Sequence, residues 1–262
     1  MRKYIRLFQL FFKTSYLLFL AHRFDFIMGS VANILWTASQ VITLQFLSTK
    51  IVAFQNWGFY DLILLLALSQ IYYYGAFILY ENSLSKLFDK IKTGDFDRVL
   101  SKPVNVKFIS SFDSISVAQI FSVFGSCVPM TIVGLLGSTH TSLSNYILAV
   151  FILTSGFISM YFLSLGLSGL VFVFEDIQSF KDFVVSSSTE FSRLPLDIFP
   201  PSIRATMTYV IPLAFTTYFP VLMLKGTLPN YIIPLCLVMP VVFYLFQKLT
   251  WTIGLKHYSG VG

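Results

Sequence analysis

The chain has 262 residues, of which 56% are hydrophobic, 18% aromatic and 11% charged, with a formal net charge of +6. A soluble domain carries about 25% charged residues, and a mean hydropathy of +0.76 excludes an ordinary water-soluble core. The apolar runs are long and continuous, so they predict helices that cross about 30 Å of hydrocarbon with roughly 20 residues each. They do not read as the alternating strands of a membrane barrel.

The opening stretch, MRKYIRLFQLFFKTSYLLFLAHR, places Arg2, Arg6, Gln9 and Lys13 at helical spacing on one face. Ile5, Phe8, Phe11, Phe12, Phe19 and Leu20 supply an apolar surface. This predicts an interfacial helix over 1–23 lying along the membrane. A short spanning helix is the rival, but four polar groups along one stripe argue against it. The basic residues alternate with apolar ones and no small-residue cleavage site follows, so a cleavable signal peptide is not expected.

A first span is predicted over 26–47 and a second over 59–80, with Lys50 the lone basic residue between them. A charged segment follows over 81–107, then a third span over 108–136 with Asp113 near its start. The uncharged loop GSTHTSLSN leads to a fourth span over 146–174. A polar fifth span is expected over 177–196, and a last one over 231–249. Between them the chain is broken by proline: Pro195, Pro200, Pro201, Pro212, Pro220 and Pro229 precede Pro234 and Pro240. Proline removes a helical hydrogen bond and kinks or ends the helix, so 200–229 is read as re-entrant helices in the outer leaflet. Irregular backbone at membrane depth is tolerated where protein or a wet cavity covers it. The expected architecture is all-α, a single transmembrane domain over 1–262 with six spans.

Orientation follows from Lys and Arg. Arg2, Lys3, Arg6, Lys13 and Arg23 lie before the first span, six more basic residues from Lys86 to Lys107 lie in the charged segment, and Lys248 and Lys256 lie at the end. The N-terminus, the 81–107 segment and the C-terminus are therefore expected in the cytoplasm. The positive charge follows this pattern and is not read as nucleic-acid binding.

The chemistry of an enzyme is missing from the pattern. His22, His140 and His257 are far apart, and the chain contains no HExxH, GxSxG or GxxxxGK[ST] motif. Cys127 and Cys236 both sit in apolar runs and read as packing residues, with no metal site expected. An ion-coupled carrier needs buried charge, which costs on the order of 3 kcal/mol per group at mid-bilayer. Asp61 and Asp113 fall near span ends, where solvent or lipid headgroups satisfy them. Glu190 and Arg193 are spaced i, i+3 and are expected to pair in a structural or gating role.

Nine of the chain's 30 charged residues are concentrated in ENSLSKLFDKIKTGDFDRVLSKP, residues 81–103. Leu84, Leu87, Phe88 and Ile91 share one helical face, and Lys86, Asp89, Lys90 and Lys92 occupy the others. Gly94 suits a helix stop, Asp95 or Asp97 a fresh start, and Pro103 punctuates the return to the membrane. From these residues alone, a cytoplasmic handle and an ordinary solvated loop stand equally open.

A resemblance bears on that choice. Gly94-Asp95-Phe96-Asp97, followed by Leu100 and Lys102-Pro103, resembles a signature of bacterial ABC-2 type permeases, in their short single-domain branch. The run from Pro195 through Pro200, Arg204, Pro212 and Pro220 is similar to that family's proline-rich pattern, departing from it at Leu194, where an aromatic is usual. Trp251, Gly254, Leu255, Tyr258, Ser259 and Gly260 resemble its C-terminal ending. The resemblance implies an exporter subunit of the bacterial cytoplasmic (inner) membrane that pairs with a second permease, either a copy of itself or a paralogue. It also implies a separate cytoplasmic ABC ATPase that binds ATP and Mg²⁺, this chain binding no cofactor.

Under that reading the ATPase contacts are Leu84, Leu87, Phe88, Lys90, Ile91, Gly94, Asp95 and Asp97, with the apolar face resting on membrane or partner. Glu175 and Asp176, with Lys181 and Asp182 beside them, form a second contact at the next cytoplasmic turn. Tyr72, Tyr73 and Phe77, with Ser187, Glu190 and Arg193, are candidates for the permease interface and substrate path. Tyrosines in an interfacial belt and serines in helix packing are the plainer alternatives. The rival functions are an ATP-independent carrier or channel and a scaffold without flux.

Overall fold

The computed structural model describes residues 2–50, 56–137, 142–174 and 177–258. All regular structure among them is helical. Glu175 and Asp176 lie outside the described residues, as do Ser259 and Gly260.

Helix α1 (Arg2–Ala21) buries none of its side chains. Its rings rest on the opposite end of the charged segment, Tyr4 on Phe108 and Phe8 on Phe112, with centroids 4.9 and 6.0 Å apart. Helix α2 (Arg23–Lys50) carries the first span, Phe26–Thr49. Helix α3 runs unbroken from Phe59 to Lys92, so the second span does not stop at Tyr80. A π-turn at Phe77–Glu81 carries the span straight into the amphipathic stretch. Its centre, LILLLAL, is apolar on every side, which marks a helix surrounded by protein. Accordingly 67% of its most apolar window is buried, against 11% for the first span.

The charged segment then folds into a short helix α4 (Phe96–Leu100) and a second, α5 (Val106–Phe112). The third span begins later than its hydropathy suggests. It is α6 (Gln119–Gly137), and Asp113 lies in the break before it. Helix α7 (Leu143–Leu170) is the fourth span and α11 (Ile232–His257) the last. These two run parallel and close: Ser155 Oγ donates to the Cys236 carbonyl, and Trp251 Nε1 donates to the Leu165 carbonyl at 2.6 Å. A Cβ at Gly254 would collide with the Gly169 carbonyl oxygen, so glycine at 254 permits that approach.

Helix α8 (Ile177–Ser192) has 16 residues, which span roughly 24 Å at 1.5 Å per residue. Among the described residues, five other helices are by themselves long and apolar enough to cross. Contacts at the two ends of α8 nonetheless show that it traverses the bundle. Lys181 near its start meets Glu81 toward the end of α3, while Asp197 just beyond its end meets Trp57 just before α3 begins. Helices α9 (Pro201–Val210) and α10 (Pro212–Leu224) follow, bent by 73°. The bend has a local cause: Ile211 is extended (φ −119°, ψ 99°) because Pro212 disfavours helix at the residue before it. Arg204 at one end touches Asp197 and Lys225 at the other touches Asp61, so the pair enters and leaves on the Trp57 side. It is a re-entrant hairpin, and α8 provides the sixth crossing.

Candidate functional site

At one end of the bundle stands the turn between α3 and α4. Thr93 and Gly94 close α3 through hydrogen bonds to the Asp89 and Ile91 carbonyls, 2.9 and 3.4 Å. Gly94 has φ +76°, the left-handed conformation that glycine enters without a Cβ penalty. The chain then turns Phe96 fully inward. Its ring packs 5.0 Å from Phe172 and 5.1 Å from Tyr258, and Phe172 in turn lies 5.5 Å from Trp251. The Tyr258 hydroxyl donates to Asp97 Oδ1 at 2.9 Å. Burial, then the Asp97 carboxylate, hold that phenol above its ordinary pKa, so it remains a donor at neutral pH. The turn motif and the C-terminal motif are thus one structure, joined by an aromatic plug through the fourth span's end. Above the plug Asp95 and Arg98 pair at 3.0 Å and stay exposed.

The predicted coupling residues divide. Asp95 and Asp97 are exposed, and Phe88, Ile91 and Gly94 are half-buried. Leu84 and Leu87 are buried within the chain, so they rest on neither membrane nor partner. Lys90 is drawn into an ion pair with Asp113. That pair replaces the solvent or headgroup contact expected for Asp113, because the break before α6 brings the carboxylate back to α3. Lys181, expected at a cytoplasmic contact, is instead fully buried.

Lys181 Nζ lies 3.3 Å from Glu81 Oε2, with both side chains at most 2% exposed, and Ser164 Oγ donates to the other Glu81 oxygen. This pair joins the second, fourth and fifth spans. Beside it the Tyr72 and Tyr80 hydroxyls are buried. Sequence reasoning missed it because Glu81 was grouped with solvated charges. The signal available was Lys181 itself, the one lysine of the predicted fifth span, four residues into its helix.

Tyr72 and Tyr73 point to different sides of α3. Tyr72 is buried in the core against Phe157. Tyr73 is half-buried, packs at a tilt against Phe77 with ring centroids 4.8 Å apart, and lies within electrostatic reach of Glu190 and Arg193. Arg193 and Glu190 pair at 2.9 Å, with Arg193 13% and Glu190 67% exposed. Ser187 is half-buried on the same helix.

The opposite end is built around Asp197. Trp57 Nε1 donates to one carboxylate oxygen at 3.0 Å and the Tyr218 hydroxyl to the other at 2.6 Å. Arg204 Nη2 donates to the Asp197 carbonyl at 3.1 Å. Lys225 Nζ contacts Asp61 Oδ2 at 2.8 Å, donates to the Asn56 carbonyl at 2.7 Å, and sits 4.4 Å from the Trp57 ring centroid. Asp61 therefore has a protein partner, and it also accepts from the Gly58 N–H at 3.0 Å, capping α3. A cavity of about 730 Å³ opens among Trp57, Asp197, Arg204, Tyr209, Tyr218 and Tyr231. Pro195 is buried, Pro200 exposed, Pro212 begins the second half of the hairpin and Pro220 is buried inside α10.

Among the described residues no group of three His, Cys, Asp or Glu side chains is arranged to hold a metal. No curated protein and no solved structure matches the chain. The family model described as ABC-2 family transporter protein matches residues 34–262. The match takes in all six crossings apart from the start of the first, together with both ends just described. The chain belongs to the ABC-2 family of transporter proteins, as a multi-pass membrane permease.

Proposed function

We propose that the chain is the permease of an ATP-driven exporter, with ATP and Mg²⁺ bound by a separate ABC ATPase that grips the Gly94–Leu100 turn. The observation that carries this is the Phe96 plug. An exposed pair, Asp95 and Arg98, stands on a ring that is wedged against the ends of the fourth and sixth spans. A push on the turn is transmitted through rigid packing, because a close-packed interior shifts as a body. The N- and C-termini and this turn lie on the cytoplasmic side of a bacterial inner membrane, following the basic residues.

Two permeases, identical or paralogous, face each other, with Tyr73, Phe77, Ser187, Glu190 and Arg193 toward the interface and path. The mixture of rings with one ion pair suits an amphipathic substrate. Glu175 and Asp176 remain in the proposal as a second ATPase contact.

The test is purification of the full chain from native membranes, identification of any ATPase that travels with it, and reconstitution of both into vesicles. The expected result is ATPase retention that Asp95→Ala with Arg98→Ala weakens while membrane insertion is unchanged. Retention of no ATPase, or flux that proceeds without ATP and falls with Glu190→Gln, overturns the proposal in favour of a secondary carrier.

A further inference from the structure

A groove of about 500 Å³ lies between α1 and the segment that follows α4. Lys3, Arg6 and Lys102 line it, and every other lining side chain is apolar, Leu7, Phe11 and Ile109 among them. Among the described residues no acidic side chain lines the groove. Lys3 Nζ donates to the Pro103 carbonyl at 2.6 Å and so ties the two walls together. That bond uses one of the three ammonium donors. Arg6 and Lys102 are exposed, and no described residue pairs with either side chain. Uncompensated positive charge beside an apolar wall calls for a ligand with an anionic head and a hydrocarbon body. Helix α1 also leaves Ile5, Leu17 and Leu18 exposed outside the groove, as a helix lying on a bilayer does.

We propose that this groove holds one anionic phospholipid, its phosphate between Arg6, Lys3 and Lys102 and an acyl chain against Leu7, Phe11 and Ile109. The lipid bridges the N-terminal helix, which precedes the family-matched residues, to the stretch that leads out of the Phe96 turn. This does not depend on the ATPase: the lipid is held by groups outside the plug. A basic residue near an anionic surface contributes about 1 kcal/mol. Removing two corresponds to roughly a thirtyfold loss of preference.

The test exchanges the purified full chain into discs of equimolar phosphatidylglycerol and phosphatidylcholine and reads retained lipid by native mass spectrometry. Wild type is expected to retain one phosphatidylglycerol per chain in preference to phosphatidylcholine. Arg6→Gln with Lys102→Gln is expected to lower that preference about thirtyfold. Lys13→Gln with Lys256→Gln removes the same charge away from the groove and is expected to leave the preference intact. The charge-keeping swap, Arg6→Lys with Lys102→Arg, is expected to retain the lipid, and it decides the matter if the glutamine pair does not fold. Equal loss in both glutamine pairs, no preference in wild type, or loss of lipid in the swap overturns the proposal. Displacement of the lipid by excess inorganic phosphate also overturns it, since the site then recognises free phosphate.

Discussion

The two ends of the bundle use charge in opposite ways. At the Phe96 end the charges point outward and apolar rings hold the turn: Asp95 and Arg98 are exposed while Phe96, Phe172, Trp251 and Tyr258 pack beneath. At the Trp57 end the charges face each other, with Asp197, Arg204, Asp61 and Lys225 tied by hydrogen bonds around a cavity. A surface built on packing keeps its position when its charges engage a partner. A surface built on hydrogen bonds has its polar groups already engaged, and it rearranges only if bonds exchange. Under the proposed function, the turn held by packing is the end suited to receive force from a partner. Between them the Glu81–Lys181 pair, with both side chains buried, ties the second span to the fifth.

Four substitutions test this contrast. The largest effect is expected in the middle. Lys181→Met strands a buried carboxylate and should destabilise by about 3 to 5 kcal/mol, whereas pairing it with Glu81→Leu should recover most of the loss. Thermal unfolding of the purified protein reads both. If the single and double variants unfold alike, the pair does not pin the spans.

Phe96→Ala comes next, at about 3 kcal/mol of local stability from the cavity it leaves. Hydrogen exchange should show lost protection confined to the turn and the end of the last span. Fraying that spreads to the Trp57 end would mean that the two ends are not independent.

Asp197→Asn removes one of two acceptors for Trp57 and Tyr218 and should cost about 1 to 3 kcal/mol. The shift belongs in the Trp57 fluorescence and not in the exchange of the turn. The smallest change is expected for Arg98→Ala. An exposed pair contributes well under 1 kcal/mol, so the melting temperature should hold while ATPase retention falls. A large loss of stability there would remove the distinction between an anchored ring and a free charge.

Much of this was legible in the sequence. The apolar runs place the crossings, because a helix in lipid has to satisfy its own backbone and cover its length with apolar side chains. The proline cluster marks the hairpin, since a proline decides the conformation of its predecessor. Gly94 ends α3 where the spacing ends. The late start of the third span was not legible: Phe108, Ile109 and Phe112 lie in line with the apolar run that follows, and the packing of Phe108 and Phe112 against α1 sets them apart.

The helices, their approximate number and the sites of their breaks are written in the chain, because these depend on local propensity and on hydrophobic length. Which charges meet is set by the packing of remote segments. Glu81 with Lys181, Lys90 with Asp113 and Asp61 with Lys225 are each remote in the chain. A charge in an apolar setting takes whichever opposite charge the packed helices bring within reach, and that choice has no local periodicity to announce it.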